Sequence, residues 1–127
     1  ALRLIDFGIA KANDGGRDTR AGAVMGSLHA MAPEQFVDAS TVDARADIYG
    51  LGCTLYEALT RRPPFTHDNE VRMLLAHLSE SAPSPREFNP LVTESLAAVV
   101  LRAIAKAPSD RYATCTAFAA ALRGAVA

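Results

Sequence analysis

Between positions 43 and 59, Ile48, Leu51, Leu55, Ala58 and Leu59 fall at three- and four-residue intervals, the spacing of one helical face. A stripe that long must be buried against something, so it dictates a helix packed among other elements, with Thr41 or Asp43 able to cap its start. Its end is equally marked. Arg61-Arg62-Pro63-Pro64-Phe65 comes next, and each proline removes a backbone donor and drives the residue before it out of the helical region.

The same punctuation divides the rest of the chain. Pro33 suits the first turn of a short helix over residues 32–36. Asp68 or Asn69 opens a helix ending near Leu78, and the three prolines of residues 81–90 read as an extended connection. Thr93 caps a helix reaching about Lys106, with Leu96, Val99, Val100 and Ile104 as its apolar stripe. Pro108-Ser109-Asp110 forms a turn, and Thr114 or Thr116 starts a last helix to about Arg123. Upstream, Leu2, Leu4 and Phe7 interleave with Arg3, Ile5 and Asp6 as in a short strand ending at Gly8. Residues 12–26 show no period and read as a long loop. The expectation is a mainly α fold with one short N-terminal strand, whose pairing partners come from sequence outside these 127 residues unless the strand is frayed.

A chain of 127 residues has room for one domain, and 50% hydrophobic residues supply a core. A net charge of -1 gives no field to attract nucleic acid or an anionic membrane, and Arg61-Arg62 reads as ordinary solvated charge. Cys53 and Cys115 lack metal-ligand spacing; reduced thiols are expected, with Cys53 a small buried residue of the long helix. No apolar run reaches the roughly 18 residues needed to cross a bilayer. The chain starts at Ala1 and enters an apolar run at once, as a chain does inside a domain.

Asp6-Phe7-Gly8 after an apolar strand is a weak signal alone, since three residues match often by chance. The order of the motifs downstream makes it specific. Ala32-Pro33-Glu34 comes after the polar loop, Asp47-Ile48-Tyr49-Gly50-Leu51-Gly52 lies at the head of the long helix, and Arg61-Arg62-Pro63-Pro64-Phe65 and Asp110-Arg111-Tyr112 complete the series. Together these resemble the activation segment and lower-lobe helices of eukaryotic-type, bacterial-like Ser/Thr protein kinases, over nearly the whole chain.

The resemblance implies the C-terminal lobe of the α+β protein-kinase-like fold, with the activation segment at residues 6–34, the helical lobe at 35–125, and the helix of residues 43–59 as a central buried rod. It implies that Asp6 binds the Mg²⁺ bridging the ATP phosphates, a task for a hard oxygen ligand. Phe7 matches the ring whose packing separates active from inactive arrangements, and Gly8 gives the backbone freedom for that swing. Glu34 matches the glutamate that pairs with a late arginine, here Arg111, and Asp47 the aspartate that holds the catalytic loop, with helix capping as its alternative role. Gly26-Ser27 stands where the family contacts the substrate and favours Ser/Thr over Tyr, although Leu28-His29-Ala30-Met31 lacks the tyrosine of many relatives. His29 reads as a surface or docking residue rather than a catalytic base, and Thr19, between Arg17 and Arg20, is the candidate for activating phosphorylation.

A glycine-rich nucleotide loop, its lysine, a His-Arg-Asp loop and the second-metal asparagine are all absent from the 127 residues. The chain alone is therefore expected to be inactive. It reads as a fragment of an ATP- and Mg²⁺-dependent Ser/Thr kinase that acts on protein substrates and needs the N-lobe and catalytic loop of its own domain. The expected location is cytoplasmic, with a membrane anchor elsewhere in the parent left open. A non-catalytic binding module and a truncated remnant are the alternatives.

Overall fold

The computed structural model describes residues 30–37, 40 and 43–126. The expected strand at residues 2–7 and loop at 12–26 lie outside the described residues; among those described there is no strand. Among the described residues five α-helices run in order: α1 (Pro33–Val37), α2 (Ala44–Thr60), α3 (Glu70–Ser79), α4 (Glu94–Ala103) and α5 (Cys115–Val126), with 3-10 turns at Pro85–Glu87 and Pro108–Asp110.

Helix starts lie next to side-chain acceptors for the unpaired N–H groups of a first turn. Asp43 accepts from Arg45 N, Asn69 from Val71 N and Arg72 N, Thr93 from Leu96 N, and Thr114 from Ala117 N. The end of α2 is handled differently. Arg61 takes φ 64°, the one positive φ among the described non-glycine residues, and its N–H returns to Glu57 O. Asn89 then donates to Leu59 O at 2.9 Å, binding the later connection to the same helix end.

Helix α2 separates the two main clusters of the core. Tyr49, Cys53 and Tyr56 face one of them with Ala32, Val100 and Ile104; Ile48 and Leu51 face the other with Ala103, Tyr112 and Phe118. The rod is not buried all round: Asp47, Thr54, Glu57 and Ala58 form an exposed face that no described element covers. Cys53 is buried, and desolvation pushes its thiol up to about 12, which leaves it inert at neutral pH. A third cluster joins Phe65 to Met73 and Ala76 of α3, with Phe36 of α1 packed against it.

Two boundaries differ from the sequence expectation. The connection at residues 81–90 contains a 3-10 turn with a complete capping box, in which Ser84 and Glu87 each satisfy the other's backbone N–H. Helix α4 stops at Ala103 rather than near Lys106: Ile104 leaves the helical region at φ -102° and ψ 21°, and Ala105 N closes a tighter turn on Arg102 O at 3.2 Å, after which the carbonyls of Ala105 and Lys106 accept from Arg111. Arg62 is half-buried over the Phe88 ring at 4.1 Å, so only Arg61 of that pair is plain solvated charge.

Close approach of α2 and α4 depends on Gly52, where an added Cβ would stand 2.8 Å from Ala103 Cβ and from Ile104 Cγ2. Gly124 in α5 has open space around it. The same substitution should therefore have opposite signs: Gly52→Ala is expected to destabilise by about 1 to 3 kcal/mol through overpacking. Gly124→Ala should stabilise by up to about 1 kcal/mol through helix propensity. Denaturant melts of both variants check this; a stabilising Gly52→Ala would contradict the helix contact.

Candidate functional site

Arg111 and Glu34 stand 77 positions apart in sequence and meet in the interior. Arg111 Nη1 lies 2.6 Å from Glu34 Oε2 and Nη2 lies 2.8 Å from Oε1, the parallel two-bond geometry that a guanidinium makes with a carboxylate. The arginine side chain is fully buried and the glutamate side chain 14% exposed. Burial of a cation is tolerable only when its donors are matched, and here all five N–H groups are. Nε donates to Ala105 O at 2.7 Å, Nη1 also to Arg45 O at 3.1 Å, and Nη2 also to Lys106 O at 3.0 Å. The Tyr49 ring lies 4.9 Å from the guanidinium carbon.

Burial raises the Glu34 carboxyl, but the Arg111 hydrogen bonds, its own backbone N–H and the guanidinium charge outweigh that and hold it below the usual carboxylate range. A lowered native pKa stabilises the fold above the ordinary value of 4.5, and that stabilisation is lost as pH falls through the lowered value. The first turn of α1 is thereby fixed to α2 and to the turn before α5.

A second set of bonds holds α3 against the same core. Tyr49 Oη and His77 Nδ1 share a buried hydrogen bond at 2.6 Å. Lys106 Nζ donates to Ala76 O near the C-terminus of α3 at 2.9 Å and lies 4.2 Å from the Phe65 ring centroid. Desolvation brings the Lys106 ammonium down to about 8. Neither His77 nor Lys106 stands out in the sequence, because their partners lie 28 and 30 residues away.

Asp47 lies exposed in the first turn of α2, while the N-cap is Asp43, whose carboxylate accepts from Arg45 N at 2.9 Å. Asp6, Phe7, Gly8, Thr19, Ser27 and His29 lie outside the described residues, so the structure brings together only Glu34 and Arg111 among the singled-out residues.

The fold and this tether are those of a helical kinase lobe, and residues 1–122 match the family model of the protein kinase domain; the chain belongs to that family. It is 47% identical over 121 residues to tyrosine-protein kinase MasK of Myxococcus xanthus, covering 95% of this chain and 19% of that protein. It is 45% identical over 116 residues to serine/threonine-protein kinase PknB of Mycolicibacterium smegmatis, covering 90% of this chain and 18% of the relative. It is also 42% identical over 124 residues to serine/threonine-protein kinase PknE of Mycobacterium tuberculosis, covering 98% and 22%. The chain thus spans about a fifth of the length of the curated relatives it matches.

Replacing Glu34 by Ala strands a buried guanidinium and is expected to cost about 3 to 5 kcal/mol of stability. The same variant should lose the part of the acid-side pH dependence that the lowered Glu34 carboxyl supplies, read by melting curves from about neutral pH down through the carboxylate range. For Lys106, an NMR titration is expected to show a midpoint near 8, against 10.5 for a free side chain. Because that pKa is depressed, stability should rise as pH climbs from about 8 toward 10.5.

Proposed function

We propose that this chain is the activation segment and helical lower lobe of a Ser/Thr protein kinase that transfers the ATP γ-phosphate to Ser or Thr hydroxyls of proteins. The reading is carried by the buried two-bond pair of Glu34 and Arg111 in a chain of the protein kinase family. In phosphoryl transfer the protein mainly positions groups and stabilises charge, so a tether that fixes the substrate-side segment serves the reaction directly. The names of two relatives favour Ser/Thr, as does Gly26-Ser27; the tyrosine-kinase name of the third makes acceptor choice an outcome to measure.

Asp6 is assigned to Mg²⁺, with Phe7 and Gly8 controlling its placement. A lone carboxylate suits an ion that keeps several waters and takes its other ligands from phosphates. Bound there, ATP and Mg²⁺ supply the transferred group and the charge that balances it. The resemblance assigns a further metal ligand, an asparagine, to the parent's catalytic loop. Asp47, with Asp43 already serving as cap, is assigned to hold that loop from the exposed face of α2. Ser27 meets the protein substrate, and Thr19 takes the activating phosphate, which Arg17 and Arg20 can pair.

The kinase domain of the parent is assigned to the cytoplasm, where ATP is found, whether or not the parent carries a membrane anchor elsewhere. A second reading, a lobe that binds partners without phosphotransfer, is favoured by Val71, Leu75 and Leu78, exposed at 61%, 55% and 37% along one face of α3.

Assays of the full-length parent with ATP and mixed Ser, Thr and Tyr peptides test the proposal. Wild type should phosphorylate Ser or Thr, and Asp6→Ala should lower turnover by about a thousandfold or more. A wild-type parent without phosphotransfer, whose partner binding survives Asp6→Ala, would instead support the binding lobe.

A further inference from the structure

Ala32 is completely buried, and it lies at the start of α1, where an N–H has no carbonyl of its own helix to meet. Its partner is the side chain of Gln35. Ala32 N donates to Gln35 Oε1 at 2.7 Å, and Gln35 N donates back to Ala32 O at 3.0 Å. The two residues close a reciprocal ring around Pro33, which has no N–H to offer or to satisfy. Gln35 is itself exposed, so its contribution rests on one acceptor atom rather than on packing.

The other side of the same turn is set by α2. Ala30 O approaches Gly50 so closely that a Cβ there would stand 3.1 Å from it, and Ala30 packs against the main core cluster. Residues 30–32 are therefore held between a helix surface below and a side-chain acceptor above. Gly26-Ser27, the pair assigned to substrate contact, stands shortly before them in the sequence.

We infer that Gln35 is a positioning residue for the protein substrate, its carboxamide oxygen fixing the path of residues 30–32 by holding the Ala32 N–H. The inference rests on the kinase reading. An orphaned buried N–H is costly enough to move a turn, so loss of the acceptor displaces the chain that leads to the substrate and leaves nucleotide binding alone.

The experiment uses the full-length protein that carries this chain and compares wild type with Gln35→Leu and Gln35→Glu. Gln35→Leu should raise KM for a protein or peptide substrate about fivefold or more, with KM for ATP within about twofold of wild type. The Ala32 amide should exchange with solvent about tenfold faster in that variant. Gln35→Glu keeps an oxygen acceptor and should stay near wild type in all three readings. Unchanged peptide KM in Gln35→Leu, a parallel rise in the ATP KM, or a Gln35→Glu variant as impaired as Gln35→Leu would each overturn the positioning role. Amide exchange needs no turnover: a wild type that transfers no phosphate sinks the kinase reading, whereas an Ala32 amide unmoved by Gln35→Leu sinks the hydrogen bond on which this role depends.

Discussion

A buried guanidinium is the group on which the rest of this structure turns. Arg111 has no exposed side-chain surface, and a cation in that position must have every donor matched or the fold that buries it fails. The matching draws in Glu34 from α1, the carbonyl of Arg45 in α2, and the carbonyls of Ala105 and Lys106 beyond α4. Three parts of the chain meet at one side chain. Their convergence is visible in the local structure: past the end of α4 the carbonyls of Ala105 and Lys106 meet the guanidinium, and the turn at Pro108–Asp110 brings Arg111 back to the Arg45 carbonyl of α2.

Around that centre, α2 works as a wall between two clusters, and polar bonds set the spacing of the elements that pack on it. Tyr49 reaches α3 through His77, Tyr56 Oη donates to Pro83 O at 2.8 Å, and Lys106 holds the end of α3. Apolar contacts alone would tolerate sliding, whereas these bonds fix register. The result is that residues 30–34, the described end of the segment assigned to activation, are tied at Ala32 to the main core cluster and at Glu34 to Arg111, with Phe36 just beyond packed on the cluster around Met73. The exposed face of α2, with Asp47 near its start, is the surface to which the catalytic loop of the parent is assigned.

Local chemistry is legible in the sequence. Helices α2, α3, α4 and α5 begin after cap residues at Asp43, Asn69, Thr93 and Thr114, and Pro63-Pro64 closes the region after α2, because those signals act within one turn. The Ser84 and Glu87 capping box is equally local but is hidden by flanking prolines that suggest extended chain. Features that depend on distant partners are not legible. Helix α4 looks longer in sequence because its periodicity runs on to Ile104, while the backbone leaves the helical region at Ile104 and Ala105 N turns back to Arg102 O. His77 and Lys106 resemble any surface residue until α2 and α3 are brought together. Of the candidate site, resemblance to the kinase family singles out Glu34, Asp47 and Arg111, and nothing in the spacing points to Gln35.

Glu34 and Arg111 act as one unit, and a double-mutant cycle measures that unity most directly. Unfolding free energies of wild type, Glu34→Ala, Arg111→Ala and the double variant give the coupling between the two side chains. A coupling of about 2 to 3 kcal/mol, with the double variant little worse than the worse single one, is the result predicted for a matched buried pair. Additive losses, with coupling below about 0.5 kcal/mol, would mean that the two side chains stabilise the fold independently and would contradict the account.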